Sequence, residues 1–192
     1  MRVVDDMVKK FEELNMKNYK FDFKMNICKY LLIFFTGSFA GYIYEVIFYL
    51  LFDHELVNRG FLYGPYLPVY GFGAVILVLL LKRFKKNPLV VFLLAMFVTG
   101  VVEYFTGFLM WEIYHKMWWD YSGLFLNIDG YVCLRSVLTF GIGGILLIYL
   151  FEPLICMIIS KIKENKVYGF SCFLLVVIVI DFILTIMFRN KL

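Results

Sequence analysis

Four ionisable residues stand where a chain this apolar should not carry them: Glu45, Glu103, Arg135 and Asp181. Carboxylates inside an apolar helix are expensive, so they face a cavity, a partner or an ion path. Three acids against one base leave carboxylate that can carry a proton or hold a cation. That is the chemistry of a proton- or cation-coupled carrier, or of a site for a cationic head group. The same charges would also serve a purely structural network that fixes helix register, and both readings stay open here. Thr99, Glu103, Thr106 and Gly107 share one helical stripe, and Asp181 and Thr185 lie one turn apart.

Elements able to position such groups follow from composition. The 192 residues are 62% hydrophobic and 18% charged, with mean hydropathy +0.82. A soluble domain is about half apolar and about a quarter charged, so the surplus calls for lipid. Runs of about 20 apolar residues cross a bilayer. Five are expected, over 28–52, 66–81, 88–111, 131–156 and 168–188. The fold class is therefore all-α: a polytopic membrane helical bundle of five transmembrane helices plus an N-terminal amphipathic helix.

That first helix is read over residues 1–20, with Val4, Met7, Phe11 and Leu14 on one face, within a cytoplasmic segment 1–27. The membrane domain then covers 28–188, and 189–192 form a short external tail. Of the 19 Lys and Arg residues, 14 fall in the N-terminal stretch through Lys29 and the 82–87 and 160–167 turns. The two loops on the other side hold Arg59 and Lys116, and the tail holds Arg189 and Lys191. Positive residues collect inside. The expectation is a cytoplasmic N-terminus and an external C-terminus in a bacterial cell membrane. At about 1.5 Å per residue, the four buried charges then lie within roughly 6–12 Å of the outer boundary. One outward-facing polar site is the economical reading.

Two outer segments would cover it. Asn58 to Pro68 is too apolar for a wet loop and too rich in Gly and Pro for a helix. Its partner runs from Trp118-Trp119-Asp120-Tyr121-Ser122 to Asn127-Ile128-Asp129-Gly130. Tyr63, Tyr66, Trp119, Asp120 and Asn127 are read as a lid, with Arg59 and Asp120 as an ion pair. The aromatics also suit an interfacial belt. Glycines repeat in the spans. Gly37 and Gly41 form a small-x-x-x-small surface. Gly41-Tyr42-Ile43-Tyr44-Glu45 answers Gly100-Val101-Val102-Glu103, and Tyr70-Gly71-Phe72-Gly73 answers Phe140-Gly141-Ile142-Gly143. These are two loose parallel repeats.

The same residues carry a family resemblance. Asn58-Arg59-Gly60-Phe61-Leu62-Tyr63-Gly64-Pro65, Pro68 to Gly73, Glu103-Tyr104, Trp118 to Ser122, Asn127 to Gly130 and Cys133-Leu134 resemble the bacterial putative ABC-transporter type IV (CmpB-like) family. The resemblance covers about residues 30–150. Tyr131 stands where the family often has a basic residue, which leaves Arg135 as the substitute. The resemblance implies a permease-like subunit of an exporter or importer, with a separate ATPase subunit. The chain has no G-x-x-x-x-G-K-[ST] phosphate loop, so it does not hydrolyse ATP in that manner.

The leading expectation is a transport-related carrier or permease subunit. Its ligand or proton site is Glu45, Glu103, Asp181, Arg135 and Arg59, and its ligand a small solute or lipid head group. The second reading is a non-catalytic assembly subunit. The third is a membrane-embedded enzyme acting on lipid or cell-wall precursors through a pair such as Glu103 and Asp120; no recognised catalytic constellation supports it. No metal site, cofactor or nucleic-acid partner is expected. The bilayer is the sure partner, and a homo-oligomer a further one. Cys28, Cys133, Cys156 and Cys172 read as apolar fillers, and His54 and His115 as groups just past span ends.

Overall fold

Three of the helices begin where a side chain accepts N–H groups that a first turn leaves unpaired. In the computed structural model, which describes residues 13, 19–52, 60, 62–117 and 119–188, Asp22 opens α1 (Phe23–Phe52) by accepting from the Met25 N–H at 2.8 Å. Pro68 starts α2 (Pro68–Leu81), where its missing N–H costs nothing. Asn87 caps α3 (Pro88–Tyr114) by accepting from Leu89 and Val90. That helix ends at His115, whose left-handed backbone returns its N–H to the Trp111 carbonyl.

Cys133 and Ser136 form a reciprocal cap at the start of α4 (Leu134–Leu146). A wide π turn, Leu147–Phe151, carries it into α5 (Glu152–Lys161). Pro153 explains that turn: it has no N–H to donate, and its ring would strike the carbonyl four residues back. Last comes α6 (Glu164–Phe188). The other described residues hold a short 3-10 turn at Lys82–Phe84 and one antiparallel bridge between Ile128 and Val132.

Four helical stretches are long and apolar enough to cross a bilayer: Phe23–Leu51, Pro88–Tyr114, Leu134–Lys161 and Glu164–Phe188. The five-span expectation meets its exception at α2. With 14 residues it extends about 21 Å, short of a hydrocarbon core of about 30 Å. The expected start at 66 also moves to Pro68, because Tyr66 and Leu67 are held in the loop before it. The helix expected over 1–20 falls almost wholly outside the described residues, as does the tail 189–192.

The apolar surface is turned outward. On α6, Phe173, Val176, Ile180 and Ile183 are exposed while Ser171, Asp181 and Thr185 are buried. A soluble helix does the reverse. The chain is a multi-pass membrane protein.

Two compact units divide it, Met1–Val75 with Phe151–Leu192, and Ile76–Leu150. In the first, Met25 and Cys28 of α1 pack with Ile159 of α5 and Val167 of α6. The opening of α2 lies against α1 through glycine: a methyl built on Gly37 would stand 2.6 Å from the Ala74 Cβ. In the second unit, α3 and α4 meet the same way. A methyl on Gly144 would stand 2.5 Å from the Ala95 Cβ.

These two contacts match in register. Gly37 lies eight residues before Glu45, and Ala95 eight before Glu103. Gly60 and Gly130, both at positive φ (127° and 71°), each precede the contact residue, Ala74 or Gly144, by 14. The two halves of the chain therefore repeat one device, with the register set by contacts. That register pairs Gly41 with Thr99, one residue away from the Gly41–Gly100 match suggested by the glycines alone.

Candidate functional site

Glu103 sits eleven residues before the end of α3, where only apolar neighbours would be affordable in lipid. It is instead met by hydroxyls. Ser136 on the first turn of α4 donates to one carboxylate oxygen at 2.7 Å, and Tyr121 donates to the other at 3.0 Å. Ser136 is aimed by the Cys133 cap, in which its Oγ also accepts from the Cys133 N–H. Tyr121 is aimed by the 115–133 segment. In the other unit, Glu45 of α1 receives the Tyr70 hydroxyl of α2 at 2.6 Å.

The chemical consequence lies in the donor type. A hydroxyl donates to a carboxylate and, rotated, accepts from a carboxylic acid. Glu103 thus has a hydroxyl on each oxygen, and Glu45 has one hydroxyl on one oxygen.

Asp181 is held otherwise. Its oxygens accept from the Tyr63 N–H at 2.9 Å, the Gly64 N–H at 2.8 Å, the Thr185 hydroxyl at 3.2 Å and the Tyr66 hydroxyl. Backbone N–H groups only donate, so this set suits an ionised carboxylate. Asp181 is a clamp that fastens the 60–67 segment to α6.

The lid residues are occupied within the fold. Trp119 donates its indole N–H to the Tyr131 carbonyl at 2.8 Å. Asn127 donates to the Ser122 and Leu124 carbonyls and accepts from the Gly130 N–H. Gly130 is required: beyond its positive φ, a methyl there would lie 2.9 Å from Asp120 Oδ1 and 2.7 Å from Ser122 Oγ. Asp120 accepts from the Ser122 N–H at 2.8 Å and its hydroxyl at 2.5 Å. Arg59, its expected ion-pair partner, lies outside the described residues, as does His54. Arg135 lies on the first turn of α4, beside Ser136, and its hydroxyl neighbour Thr139 returns to the Arg135 carbonyl. Of the expected site residues, Tyr63, Tyr66 and Asp181 are brought together; Glu45 meets Tyr70, and Glu103 meets Ser136 and Tyr121.

The Ser122 hydroxyl, then its N–H, holds the Asp120 carboxyl below the usual range. A depressed value in the fold means the bond contributes above the unfolded value of about 3.9 and fades as pH falls through the folded one. An acid titration followed by Trp119 emission is expected to show this step. In Ser122→Ala the step moves up towards about 3.9; an unmoved step would assign it to another group.

Motif residues that knit a loop and aim two hydroxyls at one span carboxylate are the features on which the resemblance rested. The family model described as Putative ABC-transporter type IV matches residues 32–186. The chain belongs to that family. No curated protein and no solved structure matches it. The type IV match runs through α6, which the sequence resemblance over 30–150 left out, so the Asp181 clamp lies inside the family's extent. This membrane protein is transport-related by family.

Other polar residues of this type IV chain escaped the sequence reading. Glu152 is 2% exposed, and the Cys156 thiol donates to it at 3.3 Å. It stood inside the span expected over 131–156. Lys29, counted with the cytoplasmic basic residues, is buried, with its ammonium 3.3 Å from Asn26 Oδ1 and over the Tyr30 ring. Cys133 and Cys156 are polar partners rather than fillers.

Proposed function

We propose that the chain is the permease-like or carrier subunit of a transport system, with Glu103 as its proton- or cation-binding carboxylate. The observation that supports this is the hydroxyl cage: Ser136 and Tyr121 on the two oxygens of a carboxylate within a span. A group meant only to lock helices is better served by fixed donors, as at Asp181. Glu45 with Tyr70 is the equivalent station in the other half. Arg135 and Arg59 are the counter-ions or anion ligands, and the solute is small or a lipid head group.

In this reading α2 and the segment before it together make the second of five crossings. The N-terminus is cytoplasmic and the C-terminus external. A separate ATPase subunit would meet the basic 82–87 and 160–167 turns, and the chain itself is not an enzyme.

Protein reconstituted in vesicles is expected to admit protons under an imposed membrane potential, read by an internal pH dye. Glu103→Gln is expected to cut that flux at least about tenfold, the equivalent of about 1.4 kcal/mol on the barrier. Glu103→Gln flux equal to that of the parent protein would remove the role. It would favour the second reading, an assembly subunit whose charges are architectural, which the Asp181 clamp supports.

A further inference from the structure

The 115–133 segment joins two spanning helices, yet it does not rise away from them. Tyr121 reaches back to Glu103, and Asp129 accepts the Tyr104 hydroxyl at 2.8 Å. Tyr104 lies ten residues before the end of α3, about 15 Å down its axis. Tyr131 covers Gly107 three residues higher on the same helix. The segment is folded down along α3, so its middle lies at the level of the helix's lipid-facing side chains, Phe105, Phe108 and Leu109, all exposed.

Its polarity is divided: Asp120, Ser122 and Asp129 stay exposed, while at its tip apolar residues turn outward. Asn127 turns inward and spends its amide on two carbonyls and the Gly130 N–H. Phe125, Leu126 and Ile128 turn outward, 75%, 63% and 57% exposed. Leu126 holds a left-handed backbone (φ 50°), where glycine would sit unstrained, and still presents a large apolar side chain. Irregular backbone is tolerated at membrane depth when its polar groups are paired within the protein. Here Tyr121 pairs with Gly130, Leu124 with Tyr121, Ile128 with Val132 and Leu134 with Phe125.

We infer that Phe125, Leu126 and Ile128 form a membrane-inserted tip that rests at the headgroup–acyl boundary of the leaflet at this end of α3. The occupant of this surface is phospholipid. Its exposed side chains lie at the depth of those of α3, and several of its backbone groups are paired within the segment. The tip thereby holds the segment down, and with it the Tyr121 hydroxyl on Glu103.

The test uses the full chain in vesicles of phosphatidylcholine and phosphatidylglycerol, with Phe125 replaced by a benzophenone-bearing phenylalanine. On irradiation the ketone carbon bonds to a nearby acyl carbon and the displaced hydrogen goes to the ketone oxygen. The product weighs the chain plus one whole phospholipid. Intact-mass spectra are expected to show this adduct, and again with the probe at Leu126, with far less for the probe at exposed Lys116. Adduct at positions 125 and 126 no greater than at 116 would overturn the inference, as would a product joining two copies of the chain. If the Phe125 variant does not fold, the Leu126 variant decides in the same way.

Discussion

Asp181→Ala is expected to release the 60–67 segment from α6 and to destabilise the protein by about 2–5 kcal/mol. Removal of the carboxylate leaves the Tyr63 and Gly64 N–H groups and the Tyr66 and Thr185 hydroxyls without their acceptor. Water that would rescue them in a soluble protein is scarce beside a helix whose other faces are apolar, so each orphaned donor costs desolvation. Asp181→Asn is the sharper variant. Its amide keeps the shape but must turn an NH2 towards one of two N–H donors, and it is expected to lose nearly as much. Thermal unfolding in detergent, with proteolysis across residues 62–66, measures both. An Asp181→Asn protein that melts with its parent would mean the carboxylate does not hold the segment.

Gly71→Leu is expected to cost a comparable amount, by a different route. A methyl on Gly71 would coincide with Ser38 Oγ and lie 2.6 Å from the Phe34 carbonyl oxygen. The hydroxyl can rotate; the α1 backbone cannot. Overpacking of this kind costs about 1–3 kcal/mol, and a leucine adds three more carbons to place. The neighbouring Gly73 is the control, because nothing lies within 4 Å of it. Gly73→Leu should leave unfolding unchanged or delay it, since glycine costs a helix about 1 kcal/mol relative to good helix formers. Equal losses at 71 and 73 would show that helix propensity, rather than the α1 contact, governs this stretch. Gly144 and Gly143 on α4 offer the same pair of measurements, with Ala95 as the obstacle.

The hydrophobic runs announced their helices because the cost of burying backbone in lipid leaves few alternatives. Spans 88–111 and 168–188 matched α3 and α6 within four residues at their ends. Boundaries moved where a cap outran hydropathy. Asp22 starts α1 five residues before position 28, and Cys133, an unusual cap, delays α4 to Leu134. The α4–α5 helix runs on to Lys161 because lysine at a helix end can reach water while its backbone stays paired.

The candidate carboxylates were legible for a related reason: an acid in an apolar run is conspicuous. Their partners were not. Tyr121 is 18 residues from Glu103 and Ser136 is 33, and nothing local marks either as the donor. Glu152 was missed because a charge near a span end reads as solvated until the packing around it is known.

Sequence by itself determined that this chain lives in a membrane and which residues were too polar for their helices. Those conclusions rest on transfer free energy, a property each residue carries wherever it is placed. Tertiary structure alone decided what meets each acid. Two hydroxyls meet Glu103, and two backbone N–H groups fasten Asp181. The difference lies in the direction of hydrogen-bond donation, which exists only once distant segments have met.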